Sequence, residues 1–99
     1  MLRPITHGTG YARPMPLYVI ERVFPESVEL TKDDAESAAA INDETGVKWL
    51  FSFLSADKQK TYCLYEADNE EALREASRRN GFPVDRITEV SELRPEQFV

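Results

Sequence analysis

The chain has 99 residues, 41% of them hydrophobic and 30% charged, with a formal net charge of −6 and one cysteine. That length sets a single domain. The acidic balance excludes a nucleic-acid backbone as the main partner, and the lone cysteine excludes an internal disulfide and fits a reducing, cytoplasmic setting. No apolar run approaches the roughly 20 residues of a bilayer span, and the first eight residues lack the apolar centre of a secretion signal.

Residues 1–14 hold Pro4, Gly8, Gly10, Pro14 and the only histidine, His7. These breakers predict a flexible N-terminal tail, a domain over residues 15–92 and a C-terminal tail over 93–99. Residues 17–24 are β-branched and aromatic and predict the first strand, ended by Pro25-Glu26. Thr31 and Asp34 are spaced as a capping box, with Asp33 and Asp34 at the positive end of the helix that follows. Ala35, Ala38, Ala39 and Ile41 fall on one face of that helix, and Gly46 stops it.

The second strand is predicted over 47–55, with Trp49, Phe51 and Phe53 pointing one way and Leu50 and Leu54 the other. A polar turn at 57–60 leads into a third strand over 61–67, which carries Cys63. Asp68 and Glu71 predict a second capping box. Ala72, Leu73, Ala76, Ser77 and Asn80 line one helix face, Glu70–Arg74 and Glu75–Arg79 are i,i+4 pairs, and Gly81 with Pro83 ends the helix. The fourth strand is predicted over 85–91.

The order βαββαβ, with right-handed crossovers, predicts an α+β ferredoxin-like sandwich whose antiparallel sheet runs 4-1-3-2. Both helices then cover one face of the sheet. Side-chain size and polarity assign Leu17, Val19, Leu50, Leu54, Leu64 and Ile87 to the helix side. The same rule assigns Tyr18, Ile20, Trp49, Phe51, Phe53, Cys63, Tyr65, Thr88 and Val90 to the open side. An open face so apolar predicts a homodimer joined sheet to sheet, or a large ligand there.

Residues 15–25 (Met15-Pro16-Leu17-Tyr18-Val19-Ile20-Glu21-Arg22-Val23-Phe24-Pro25), 61–67 and 81–90 resemble successive blocks of a family of small bacterial domains, mostly of unknown function. Its best-described member type is a dimeric nickel-binding protein with a ferredoxin-like fold. The resemblance implies that fold, and it implies a nickel site built on a cysteine sulfur, with Cys63 in the cysteine position. The histidines it leads one to expect near Glu21, Phe51, Phe82 and Thr88 are absent from this chain.

Three chemistries remain open. Cys63 with Glu21, Glu66 and Glu89 offers a thiolate and carboxylates to nickel or another divalent metal, although strand alternation sets the three glutamates on the face opposite Cys63, to meet it only at a strand end or across a dimer interface. A nucleophilic cysteine needs an activating neighbour, and Arg22 is the cation that alternation places on its face. Tyr18, Trp49, Phe51, Phe53, Tyr65 and Thr88 can line an aromatic pocket between the sheets of a dimer, or fill its interface. The expectation is a non-enzymatic homodimer binding a metal ion or small ligand near Cys63. The alternative is a dimeric α+β-barrel type of enzyme or small-molecule binder working through the aromatic face.

Overall fold

Alternating burial along Leu17–Val23 marks β1, the strand on which the sheet is built. The computed structural model describes residues 15–98, so the expectations for residues 1–14, His7 included, and for Val99 lie outside the described residues. After β1 come α1 (Lys32–Thr45), β2 (Lys48–Leu54), β3 (Lys60–Glu66), α2 (Glu70–Asn80), β4 (Arg86–Val90) and a 3-10 turn at Pro95–Phe98. The sheet order is β2-β3-β1-β4, the expected order read from the other edge, and the paired strands are antiparallel.

Local chemistry explains the element ends. The Thr31 hydroxyl accepts from the Asp34 N–H at 3.1 Å while the Asp34 carboxylate accepts from the Thr31 N–H at 3.0 Å, closing the capping box. α2 is capped by Asn69 rather than Asp68: the Asn69 side-chain oxygen takes the Ala72 N–H at 2.9 Å. Gly46 and Gly81 end the two helices at φ +77° and +75°, a left-handed turn that costs a glycine nothing in sterics. Glu70 pairs with Arg74 as expected, but Glu75 pairs with Arg78, which leaves Arg79 to reach across to Glu44 and tie α2 to α1.

Both helices lie on one face of the sheet. The core beneath them joins Tyr18, Ile20, Val47, Cys63, Tyr65, Ala67, Leu73 and Ala76. On α1 the buried residues are Ala38 and Asn42, while Ala39 points to solvent. The inward row is thus Ala35, Ala38 and Asn42, with Ile41 half-buried, so of the four residues expected on that face only Ala39 turns away.

The two faces of the sheet are therefore largely exchanged relative to the sequence expectation. Tyr18, Ile20, Cys63 and Tyr65 are buried under the helices, and Leu17, Val19 and Leu64 lie on the open face, where the neighbouring Tyr62 is exposed. The assumption that tyrosine prefers the wetter side fails for a physical reason. The Tyr65 hydroxyl accepts a hydrogen bond from buried Arg22, so its polar end is satisfied inside. Ile87, Leu54, Phe51, Phe53, Thr88 and Val90 do fall on the expected sides, judged by their strand partners.

One irregularity splits the aromatic row of β2. Trp49 pairs with Tyr65, but Phe51 pairs with Leu64, so Leu50 is an extra residue in a bulge. The bulge reverses the alternation. Trp49 goes to the helix side, and Phe51 and Phe53 go to the open side, where their rings meet edge to face at 5.5 Å.

Candidate functional site

The inward faces do not fill the space between α1 and the sheet. Ala35 and Ala38 supply little volume, and a cavity of about 230 Å³ remains beneath them. Its floor is the β1–β3–β2 part of the sheet: Arg22, Thr61, Cys63, Tyr65, Ser52, Trp49 and Leu54. The segment between β1 and α1 closes one end. The Phe24 and Val28 N–H groups bond to the Gln59 and Lys58 carbonyls at 2.8 and 2.7 Å, which holds Phe24, Val28 and Leu30 against the β2–β3 turn as an apolar wall. Leu30, Asp34 and Phe82 form the rim and also border a shallower groove with Ser37, Arg79 and Asn80.

Arg22 is the dominant charge in this cavity. It is only 2% exposed. One terminal nitrogen donates to the Ser77 hydroxyl at 3.1 Å and the Pro83 carbonyl at 2.9 Å, and the other donates to the Tyr65 hydroxyl at 2.9 Å. The guanidinium also lies 5.3 Å from the centre of the Phe82 ring. These partners are all neutral, and among the described residues no carboxylate pairs with it. Burial raises the Tyr65 hydroxyl above the ordinary tyrosine range, against the opposing pull of the Arg22 charge.

Asn42 lines the cavity from α1. It is 5% exposed, and its side-chain oxygen is the one buried side-chain polar atom without a partner among the described residues. Cys63 is buried, with its sulfur 3.4 Å from the Thr61 hydroxyl. Trp49 donates its indole N–H to the Ser52 hydroxyl at 2.9 Å.

Cys63, Tyr65 and Trp49 come together in the cavity, and Arg22 joins them on the face that strand alternation assigned to it. Tyr18 belongs to the core cluster. Phe51, Phe53 and Thr88 lie on the open face, so the six residues expected to line one pocket are divided between two faces. Sequence reasoning missed Asn42, Phe24 and Phe82. The signal for Asn42 was its spacing of four and seven residues from Ala38 and Ala35, which continues the inward stripe.

This geometry can be set beside known proteins. The family model described as nickel responsive protein SCO4226-like matches residues 18–90. The chain belongs to the SCO4226-like family. A solved structure, the crystal structure of SCO4226 from Streptomyces coelicolor A3(2), matches with a TM-score of 0.65 at 20% identity, over 79% of this chain and 99% of that one. At that identity the likeness shows the fold. No curated protein matches the chain.

The SCO4226-like family name raises nickel, and the donor set can be tested against it. Glu21 and Glu66 pair with Tyr62 and Leu17 on the open face, across the sheet from Cys63, and Glu21 is held by Lys60 at 3.6 Å. Glu89 corrects the expectation for the third carboxylate. It stands opposite Tyr18 and so shares the face of Cys63, but Cys63 is opposite Ile20 and Ile20 opposite Ile87, which puts Glu89 two strands away and two residues along. Among the described residues no three His, Cys, Asp or Glu side chains are grouped to hold one ion. The described residues of one chain therefore do not fit a nickel ion. No helix among them is long and apolar enough to cross a membrane.

Proposed function

We propose that this protein is a small-molecule-binding member of the SCO4226-like family, non-enzymatic and homodimeric, with its ligand in the cavity beside Cys63. The observation that carries the reading is the cavity itself: about 230 Å³ of mostly apolar space lined by a buried cation, Arg22, and by Asn42, whose side-chain oxygen has no partner. A cavity of about 150 Å³ is large enough for benzene. Apolar walls with a few converging polar groups are the usual form of a small-molecule site. The thiol has no histidine within the described residues to activate it, so a binding role suits it better than a nucleophilic one.

The open face supports the dimer. Phe53 is 66% exposed and Phe51 49%, beside Val19, Leu64 and Val90. A patch of this kind is unusual on a monomer. The same face carries both charge signs, Glu21 and Glu66 with Lys60 and Arg86, which suits a self-complementary two-fold contact.

The test is native mass spectrometry with metal analysis on protein purified without an affinity tag. A dimer carrying an organic molecule, with metal well below one per chain, supports the reading. Near-stoichiometric nickel that disappears in Cys63→Ser overturns it in favour of a metal site shared between chains.

A further inference from the structure

Arg22 and Asn42, two buried polar residues, line this cavity without a partner of matching chemistry. Taking a guanidinium out of water is strongly unfavourable unless a counter-charge or a full set of hydrogen bonds replaces the water. Arg22 has three neutral acceptors and no carboxylate among the described residues, and a guanidinium has more N–H donors than those three bonds use. Asn42 presents an acceptor oxygen that no donor meets. Buried orphans of this kind are uncommon and call for an explanation. The rest of the lining is mostly apolar through Phe24, Val28, Ala38 and Leu54, with Ser52 and Thr61 as its other neutral polar residues.

Resting on the reading of the cavity as a ligand site, we propose that the ligand is a small apolar carboxylic acid. Its carboxylate sits on the Arg22 guanidinium, and a hydroxyl or amino hydrogen on its body donates to the Asn42 side-chain oxygen. A carboxylate supplies the counter-charge that Arg22 lacks, and arginine pairs with carboxylates more strongly than with neutral acceptors. A benzene-sized ring with these two substituents is compatible with a space larger than the cavity that takes benzene alone. Asp34 is the only carboxylate lining the cavity among the described residues; it stands at the rim, engaged with the Thr31 N–H.

The experiment titrates the full-length chain with phenol, benzoate, and meta- and para-hydroxybenzoate, read by calorimetry or ligand-observed NMR. On the unmodified protein the better hydroxybenzoate isomer should bind about tenfold or more tighter than phenol, the size of one charge-assisted contact. In Asn42→Leu its advantage over benzoate should vanish. Arg22 also braces Tyr65, Ser77 and Pro83, so its replacement is expected to unfold the protein, and the comparison with phenol takes its place. Phenol binding as tightly as the hydroxybenzoates overturns the carboxylate while leaving the pocket. An unchanged hydroxybenzoate-to-benzoate ratio in Asn42→Leu overturns the Asn42 contact. Failure of all four probes to bind overturns this proposal, whereas the ligand-site reading falls only if the natively purified protein also carries no organic molecule.

Discussion

Arg22 and Tyr65 lie on neighbouring strands four positions apart in register, Arg22 opposite Thr61 and Tyr65 opposite Tyr18, and the long Arg22 side chain donates its guanidinium to the Tyr65 hydroxyl at 2.9 Å beneath the helix layer. This single bond lets a cation and a phenol occupy positions that aliphatic side chains usually hold.

Tyr65→Phe leaves that guanidinium nitrogen short of an acceptor in a buried site. The expected loss is about 1.5–3 kcal/mol, the range for hydrogen bonds to charged groups, measured by urea unfolding at neutral pH. Unchanged stability would show that water or another group replaces the hydroxyl.

The same residue predicts a response to alkali. Burial raises the Tyr65 hydroxyl, so the folded state holds its proton more tightly than the unfolded chain does. The resulting stability is complete below the ordinary value near ~10 and falls as pH rises from there through the raised folded value. Tyr65→Phe should flatten part of that decline. Tyr18, raised by burial and then by Glu89 and Glu70, keeps its own share in the variant.

Asn42→Leu should stabilise the ligand-free protein. It removes a buried oxygen without a partner, a defect worth about 1–3 kcal/mol, and adds apolar volume beside the cavity. Its backbone carbonyl still takes the Val47 N–H at 3.0 Å. A melting temperature above that of the parent is expected, and a lower one would mean that the amide is satisfied in solution.

Asp57 organises the β2–β3 turn: its carboxylate accepts from the Ser55 hydroxyl at 2.7 Å and the Gln59 N–H at 3.0 Å, and these bonds, in that order, hold it below the ordinary carboxylate range. A depressed folded value means that its support is full above the unfolded value near ~4 and is lost as pH falls through the folded one. With the intrinsic base-catalysed rate divided out, the protection of amides in the β2–β3 hairpin should fall on acidification in the parent, and Asp57→Asn should remove that fall.

Phe53→Glu puts a charge in the middle of the exposed apolar patch. Sedimentation should change from a dimer to a single chain of 11.3 kDa at micromolar concentration, with the melting curve of the dissociated domain still cooperative. A parent protein that already sediments as one chain would remove the dimer.

Much of the architecture was legible in the residues. The capping box at Thr31 and Asp34, the stops at Gly46 and Gly81 and the apolar runs between them are local signals, and they determine the element order βαββαβ and, with the crossover rule, the strand order. The placement of Arg22 on the face of Cys63 also followed from strand alternation alone.

Only the tertiary structure decided which face is inside, because alternation is symmetric: when Leu17, Val19 and Leu64 alternate with Tyr18, Ile20 and Cys63, either set can form a core. The choice depends on contacts far apart in the chain, above all Arg22 with Tyr65, Ser77 and Pro83, which satisfy a charge that composition alone would leave outside. The bulge at Leu50 is likewise invisible to a period-2 reading, and it alone separates Trp49 from Phe51 and Phe53. The cavity arises from the difference between an alanine-lined helix and the sheet it covers, and a volume of that kind exists only once the two are packed together.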